Sequence, residues 1–145
     1  MRVTKRAFWD TSAVIPLCVQ QRPTARSFQI AREFRKTVVW WATPVESYGV
    51  LARLSREGEL DAGDMANALR RLKVLQSVWQ EILPVESVRT IAQTLLGQYP
   101  LRAADALQLA AALVWCRERP QHRPFVCFDD RLAETAHLVG FSVVA

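Results

Sequence analysis

The sequence predicts an α/β fold, a three-layer α/β/α sandwich built on a short, mostly parallel sheet of about five strands. Two observations carry this. Short apolar or β-branched runs alternate with segments of helical period from one end of the chain to the other, the pattern that builds parallel sheets covered on both faces. Two of those runs lead into an aspartate, Asp10 and Asp129. No repeat, low-complexity stretch or linker interrupts the alternation, so residues 1–145 are read as a single domain.

Taken in order, Ala7–Trp9 is a first strand, and Thr11 to Val19 a short helix. Thr24 to Phe34 reads as a second helix, with Phe28, Ile30, Ala31 and Phe34 on its apolar side. Thr37–Trp41 is β-branched and aromatic, hence a strand. Thr43-Pro44-Val45-Glu46 has the form of a helix start, with Thr43 as N-cap, Pro44 in the first turn and Glu46 as the reciprocal member of a capping box. That helix runs to about Arg56. Asp61-Ala62-Gly63-Asp64 opens the next, on which Met65, Ala68, Leu69, Leu72, Leu75 and Trp79 recur at helical spacing. Ile82–Val85 is a short strand, and Val88 to Leu96 a helix ended by Gly97. Ala103 to Cys116 is apolar nearly all round, interrupted by Asp105 and Gln108, and so is expected to be buried on most of its surface. Phe125–Phe128 is a strand, Arg131 to Val139 a helix stopped by Gly140, and Phe141–Val144 a last strand.

Composition narrows the function classes. Half of the 145 residues are hydrophobic and 23% are charged, which favours a packed core over disorder. Nineteen Lys and Arg against fourteen Asp and Glu give a net charge of +5, which suits a polyanionic partner such as nucleic acid. Cys18, Cys116 and Cys127 are widely spaced and odd in number, giving neither a disulfide framework nor a zinc pattern. His122 and His137 form no metal-binding pair. The basic start Met1–Arg6 imitates a signal peptide, but Asp10 breaks the run that follows. No apolar stretch reaches the roughly 18–20 residues that span a bilayer, and a cytoplasmic protein without a membrane partner is expected.

The candidate chemistry lies in four acids. Each has a structural explanation alone: Asp10 and Asp129 as helix caps, Glu46 in a capping box, Asp105 in a first helical turn or paired with Arg102. Together they say more. In a parallel sheet the ends of the strands before Asp10 and Asp129 share one edge, where function gathers in such folds. Two unit charges about 4 Å apart repel by about 4 kcal/mol at an effective dielectric near 20. Hard divalent cations relieve such crowding and prefer oxygen ligands. Ions so held activate water and polarise phosphate oxygens. Of the basic segments, the densest holds Arg22, Arg26, Arg32, Arg35 and Lys36; Arg32, Arg35 and Lys36 are the candidate phosphate contacts, with Arg70, Arg71 and Lys73 next.

The chain also resembles the PIN-domain family, specifically the VapC-type toxins of bacterial toxin–antitoxin pairs. The resemblance is carried by Phe8-Trp9-Asp10-Thr11-Ser12-Ala13, Thr43-Pro44-Val45-Glu46, Leu101 to Ala110 and Phe125 to Ala133, and it covers essentially the whole chain. It implies a parallel sheet flanked by helices and Mg²⁺ or Mn²⁺ bound by Asp10, Glu46, Asp105 and Asp129. It further implies endonucleolytic cleavage of RNA, a cognate antitoxin that covers the site, and support of the first acid by Ser12. A homodimer is expected on the same ground and from the long apolar helices. Three departures stand out. Cys127 replaces a usual Thr or Ser, Trp9 is bulkier than an aliphatic residue, and Asp130 directly follows Asp129 and competes with it as fourth acid. Two other readings are a PIN-like binding module without catalysis and a phosphoacceptor domain. The second lacks both the second Asp of a phosphatase after Asp10 and a strand-end lysine.

Overall fold

Ala7 and Trp9 face one side of the first strand and Phe8 the other, and this alternation sorts the whole core. The computed structural model describes residues 5–145, so Met1–Thr4 of the basic start lie outside the described residues. The strands are β1 (Arg6–Trp9), β2 (Lys36–Trp40), β3 (Gln80–Ile82), β4 (Pro124–Val126) and β5 (Ser142–Val144). All four pairings are parallel, in the order β3-β2-β1-β4-β5. The helices are α1 (Thr11–Cys18), α2 (Thr24–Glu33), α3 (Thr43–Arg56), α4 (Ala62–Val78), α5 (Glu86–Gln98), α6 (Ala103–Trp115) and α7 (Asp130–Val139).

Phe8, Val38, Trp40 and Phe125 look toward α5, α6 and α7, forming one core layer with Val88, Leu95, Leu109, Leu132 and Phe141. Ala7, Trp9, Val39 and Val126 look the other way, into a second layer made with α1 to α4. The result is the expected three-layer α/β/α sandwich. As its sequence demands, α6 is almost wholly interior: Ala106, Ala110, Ala111 and Ala112 are completely buried. Their small side chains let the helix lie close to the sheet.

The elements differ from the sequence reading in four places. The third strand is Gln80–Ile82 rather than Ile82–Val85. Pro84 has no N–H to give to a ladder, and Leu83 and Val85 turn outward into solvent. Regular pairing of β4 ends at Val126, so Asp129 follows a short irregular connection rather than the strand itself. Gly97 does not stop α5, which runs on to Gln98. Phe28 is outside the apolar side of α2, which buries Ser27 and Ile30 instead.

Phe125 is the keystone of the first layer. It stacks on Phe8 at 5.5 Å between ring centroids and leans on Phe141 at 5.4 Å. Phe125→Ala is expected to cost roughly 3–5 kcal/mol in chemical denaturation. The exposed control Val78→Ala is expected to stay within about 0.5 kcal/mol of the parent.

Candidate active site

Because every strand runs the same way, the helices that follow β1, β2 and β4 start at one edge of the sheet. Asp10 is the N-cap of α1 and Asp129 the N-cap of α7; Glu46 and Asp105 lie in the first turns of α3 and α6. These four acids line one cleft of about 540 Å³, together with Thr11, Ser12, Ile15, Gln21, Gly49, Val50 and Arg53. A larger hollow of about 730 Å³ lies among α5, the end of α6 and α7. It brings together no comparable set of acids, so the acid-lined cleft is the candidate site.

Asp10 is 6% exposed. Its Oδ2 accepts the Ser12 backbone N–H at 3.1 Å and lies 3.7 Å from the Cys127 thiol. Burial pushes its carboxyl above the ordinary range, against the hydrogen bonds from Ser12, and the charge of Asp105 adds to the rise. The Ser12 hydroxyl accepts the Phe128 N–H at 2.9 Å, tying the start of α1 to the chain leaving β4. Cys127 fills the place of the missing hydroxyl. Its single proton is within reach of Asp10 and of the Asp129 carbonyl oxygen, 3.4 Å away. Burial is the first cause of the rise in its own pKa, so it stays a thiol.

Glu46 is not part of a capping box. Thr43 is the first helical residue rather than the cap, and Ala42 at the cap makes no side-chain bond. The capping box of the chain is Asp61 with Asp64, at the start of α4. Instead the Glu46 Oε1 accepts the Gln108 side-chain amide at 2.8 Å. That amide also contacts Thr11 Oγ1 at 3.0 Å and Thr43 Oγ1 at 3.3 Å. Gln108 is buried, and its Oε1 has no partner. The polar interruption of an otherwise apolar helix is therefore a strut beneath the second acid. The sequence showed the interruption without its purpose.

Asp105 is partly buried, and its carboxyl is raised first by desolvation and then by the charge of Asp129. Arg102 opposes the rise from a distance but forms no ion pair with it; the ion pairs among the described residues are Arg53–Glu57 and Arg89–Glu86. Asp129 accepts the Leu132 N–H at 3.1 Å. Asp130 is the exposed first residue of α7 and is not among the residues lining the cleft. Neither histidine lines the cleft.

Arg32, Arg35 and Lys36 are not brought to these acids. Lys36 begins β2 and pairs with Arg6 at the start of β1, at the amino edge of the sheet. At about 3.3 Å per residue, that edge is roughly 13 Å from the level of Asp10. Trp40, the last residue of β2, is in the core, and Trp41 just beyond it is half exposed. The basic side chain that does line the cleft is Arg53, which the sequence did not single out.

The donors are all oxygen, and desolvation and mutual repulsion raise three of the four carboxyls. By donor type the residues fit a hard divalent ion, Mg²⁺ or Mn²⁺. Their spacing is open: among the described residues, no three His, Cys, Asp or Glu side chains close around a single point.

The fold and site thus define an α/β protein with an all-parallel sheet and an acid-lined cleft at its carboxyl edge. No protein-family model and no curated protein matches the sequence. Among solved structures, a chain of a toxin–antitoxin complex from Klebsiella pneumoniae is similar in fold, with a TM-score of 0.64 and 17% identity over 96% of each chain. No helix among the described residues is long and apolar enough to cross a membrane.

The environment of Glu46 yields a test of the metal-free cleft. Burial first, then the charges of Asp10 and Asp105, push its carboxyl from 4.5 to about 7 despite the bond from Gln108. The folded state then holds this proton more tightly than the unfolded chain. The resulting stabilisation is complete below the unfolded pKa, near 4.5, and is lost as pH rises through about 7. Glu46→Gln, always neutral, is expected to melt higher than the parent in chelator at pH 8, with the difference shrinking toward pH 4.5. A difference that does not vary with pH would show that Glu46 feels no such crowding.

Proposed function

We propose that this chain is a PIN-type endoribonuclease dependent on Mg²⁺ or Mn²⁺, acting as the toxin of a toxin–antitoxin pair. The observation that carries the reading is the convergence of Asp10, Glu46, Asp105 and Asp129 on one cleft from four different helix starts. The fold likeness to a chain of a toxin–antitoxin complex supports the context, and the motifs around the four acids support the family. The partners that follow are RNA, a cognate antitoxin and a second copy of the chain.

Asp10, Glu46, Asp105 and Asp129 would hold the ion, which supplies an activated water and neutralises charge on the scissile phosphate. Asp10 and Glu46 are oriented before any ligand arrives, the first by Ser12 and Cys127, the second by Gln108. Asp129 is exposed and Asp105 partly so, which leaves both accessible to an ion. The starts of α1, α3, α6 and α7 bring the positive ends of their dipoles to the place where phosphate would sit. The open spacing of the acids favours one other reading, a PIN-like module that binds without cutting.

Incubation of the purified protein with RNA separates the two. Cleavage is expected with Mg²⁺ or Mn²⁺ and none in chelator. Asp10→Asn and Asp105→Asn are expected to lose several orders of magnitude in rate while keeping the parent's circular dichroism spectrum. Undiminished cleavage by either variant would remove that acid from the site; RNA binding without cleavage by the parent would support the binding module.

A further inference from the structure

A cleft lined by four acids repels the polyanion it is proposed to cut, so something beside the acids must hold the RNA backbone. We propose that the face of α3 carrying Gly49 and Arg53 is the path of the RNA phosphodiester backbone into the cleft; this rests on the nuclease reading. Arg53 is the cationic side chain among the residues lining the cleft. It stands seven residues, about two helical turns, beyond Glu46 on the same helix, so both side chains project to one side. Its ion pair with Glu57 is long at 3.9 Å, and both side chains are more than half exposed. Such a pair holds the guanidinium weakly and leaves it available to a phosphate, which it can grip with two hydrogen bonds.

Gly49 lies between them, one turn from each. Glycine inside a helix is unfavourable relative to alanine, and nothing within the fold requires it here. Its backbone is not in the left-handed region, and a Cβ built on it would meet no atom within 4 Å. The empty space opens on the cleft that Gly49 lines. A residue that the fold would improve by enlarging is explained by close approach of something from outside, and beside a guanidinium that something is a phosphate–sugar backbone. Arg32, Arg35 and Lys36, at the far edge of the sheet, are then secondary.

The test measures binding of a fluorescein-labelled, mixed-sequence single-stranded RNA by anisotropy. It uses the non-cleaving Asp10→Asn protein in Mg²⁺, across a series of salt concentrations. Arg53→Gln is expected to weaken binding and to reduce the slope of log affinity against log salt by about one unit. Gly49→Ala is expected to raise the Tm and yet weaken binding, a pairing that a purely structural glycine does not give. The triple change Arg32→Gln, Arg35→Gln and Lys36→Gln is expected to alter the slope less than Arg53→Gln alone. RNA binding by the Asp10→Asn protein that Arg53→Gln and Gly49→Ala both leave unchanged overturns the path and spares the nuclease reading. Absence of RNA binding by Asp10→Asn in Mg²⁺, together with absence of cleavage by the parent in Mg²⁺ or Mn²⁺, overturns both.

Discussion

Parallel strands place the start of each following helix at one edge of the sheet, and the rest of this molecule depends on that constraint. Here β1, β2 and β4 deliver the starts of α1, α3 and α7 to the carboxyl edge, and α6 enters the same region after α5. A carboxylate at a helix start is favoured by the free N–H groups and the dipole of that helix. Asp10 and Asp129 use this directly through the N–H groups of Ser12 and Leu132. The capping role of these acids and their place in the cleft are therefore compatible: each cap fixes a carboxylate at the edge of the sheet where the cleft lies.

The same convergence creates an electrostatic cost. Asp10, Glu46 and Asp105 are all raised above their ordinary pKa values, with burial the first cause and a neighbouring acid a further one in each case. The hydrogen bonds from Ser12 and Gln108 offset only part of it, and the arginine among the lining residues, Arg53, is more than half exposed and pairs with Glu57. A chain with a net charge of +5 has thus gathered four of its fourteen acids in one cleft, with Arg53 as the cation among the lining residues. A hard divalent ion is the kind of ligand that would relieve such crowding.

The alternation of strands and helices and the four candidate acids were legible because they rest on local signals: hydrophobic period, β-branched runs, and an acid at or near the start of each of four helices. What stayed illegible depends on contacts between distant residues. Gln108 reaches Glu46 across 62 positions in the chain, and only the packed fold shows that a polar residue on an apolar helix is a strut. The capping box at Glu46 failed because α3 starts one residue earlier than the Thr43-Pro44 pattern suggests, with Ala42 as its cap, and the carboxylate accepts from Gln108 instead. The basic segment at Arg32 to Lys36 misled because charge density along a sequence says nothing about which edge of a sheet receives it. Arg53 carries a single charge on the exposed face of a helix, a feature shared by many residues with no role, and only its position at the cleft distinguishes it.

The proposed function stands on Asp10, Glu46, Asp105 and Asp129 forming one divalent-cation site. Anomalous diffraction from crystals grown with Mn²⁺ addresses it directly. An anomalous peak is expected inside the cleft, bonded to oxygens of these carboxylates, with Asp105 drawn inward toward Asp10. Saturating Mn²⁺ that leaves the cleft without a peak and the four side chains standing apart would contradict it.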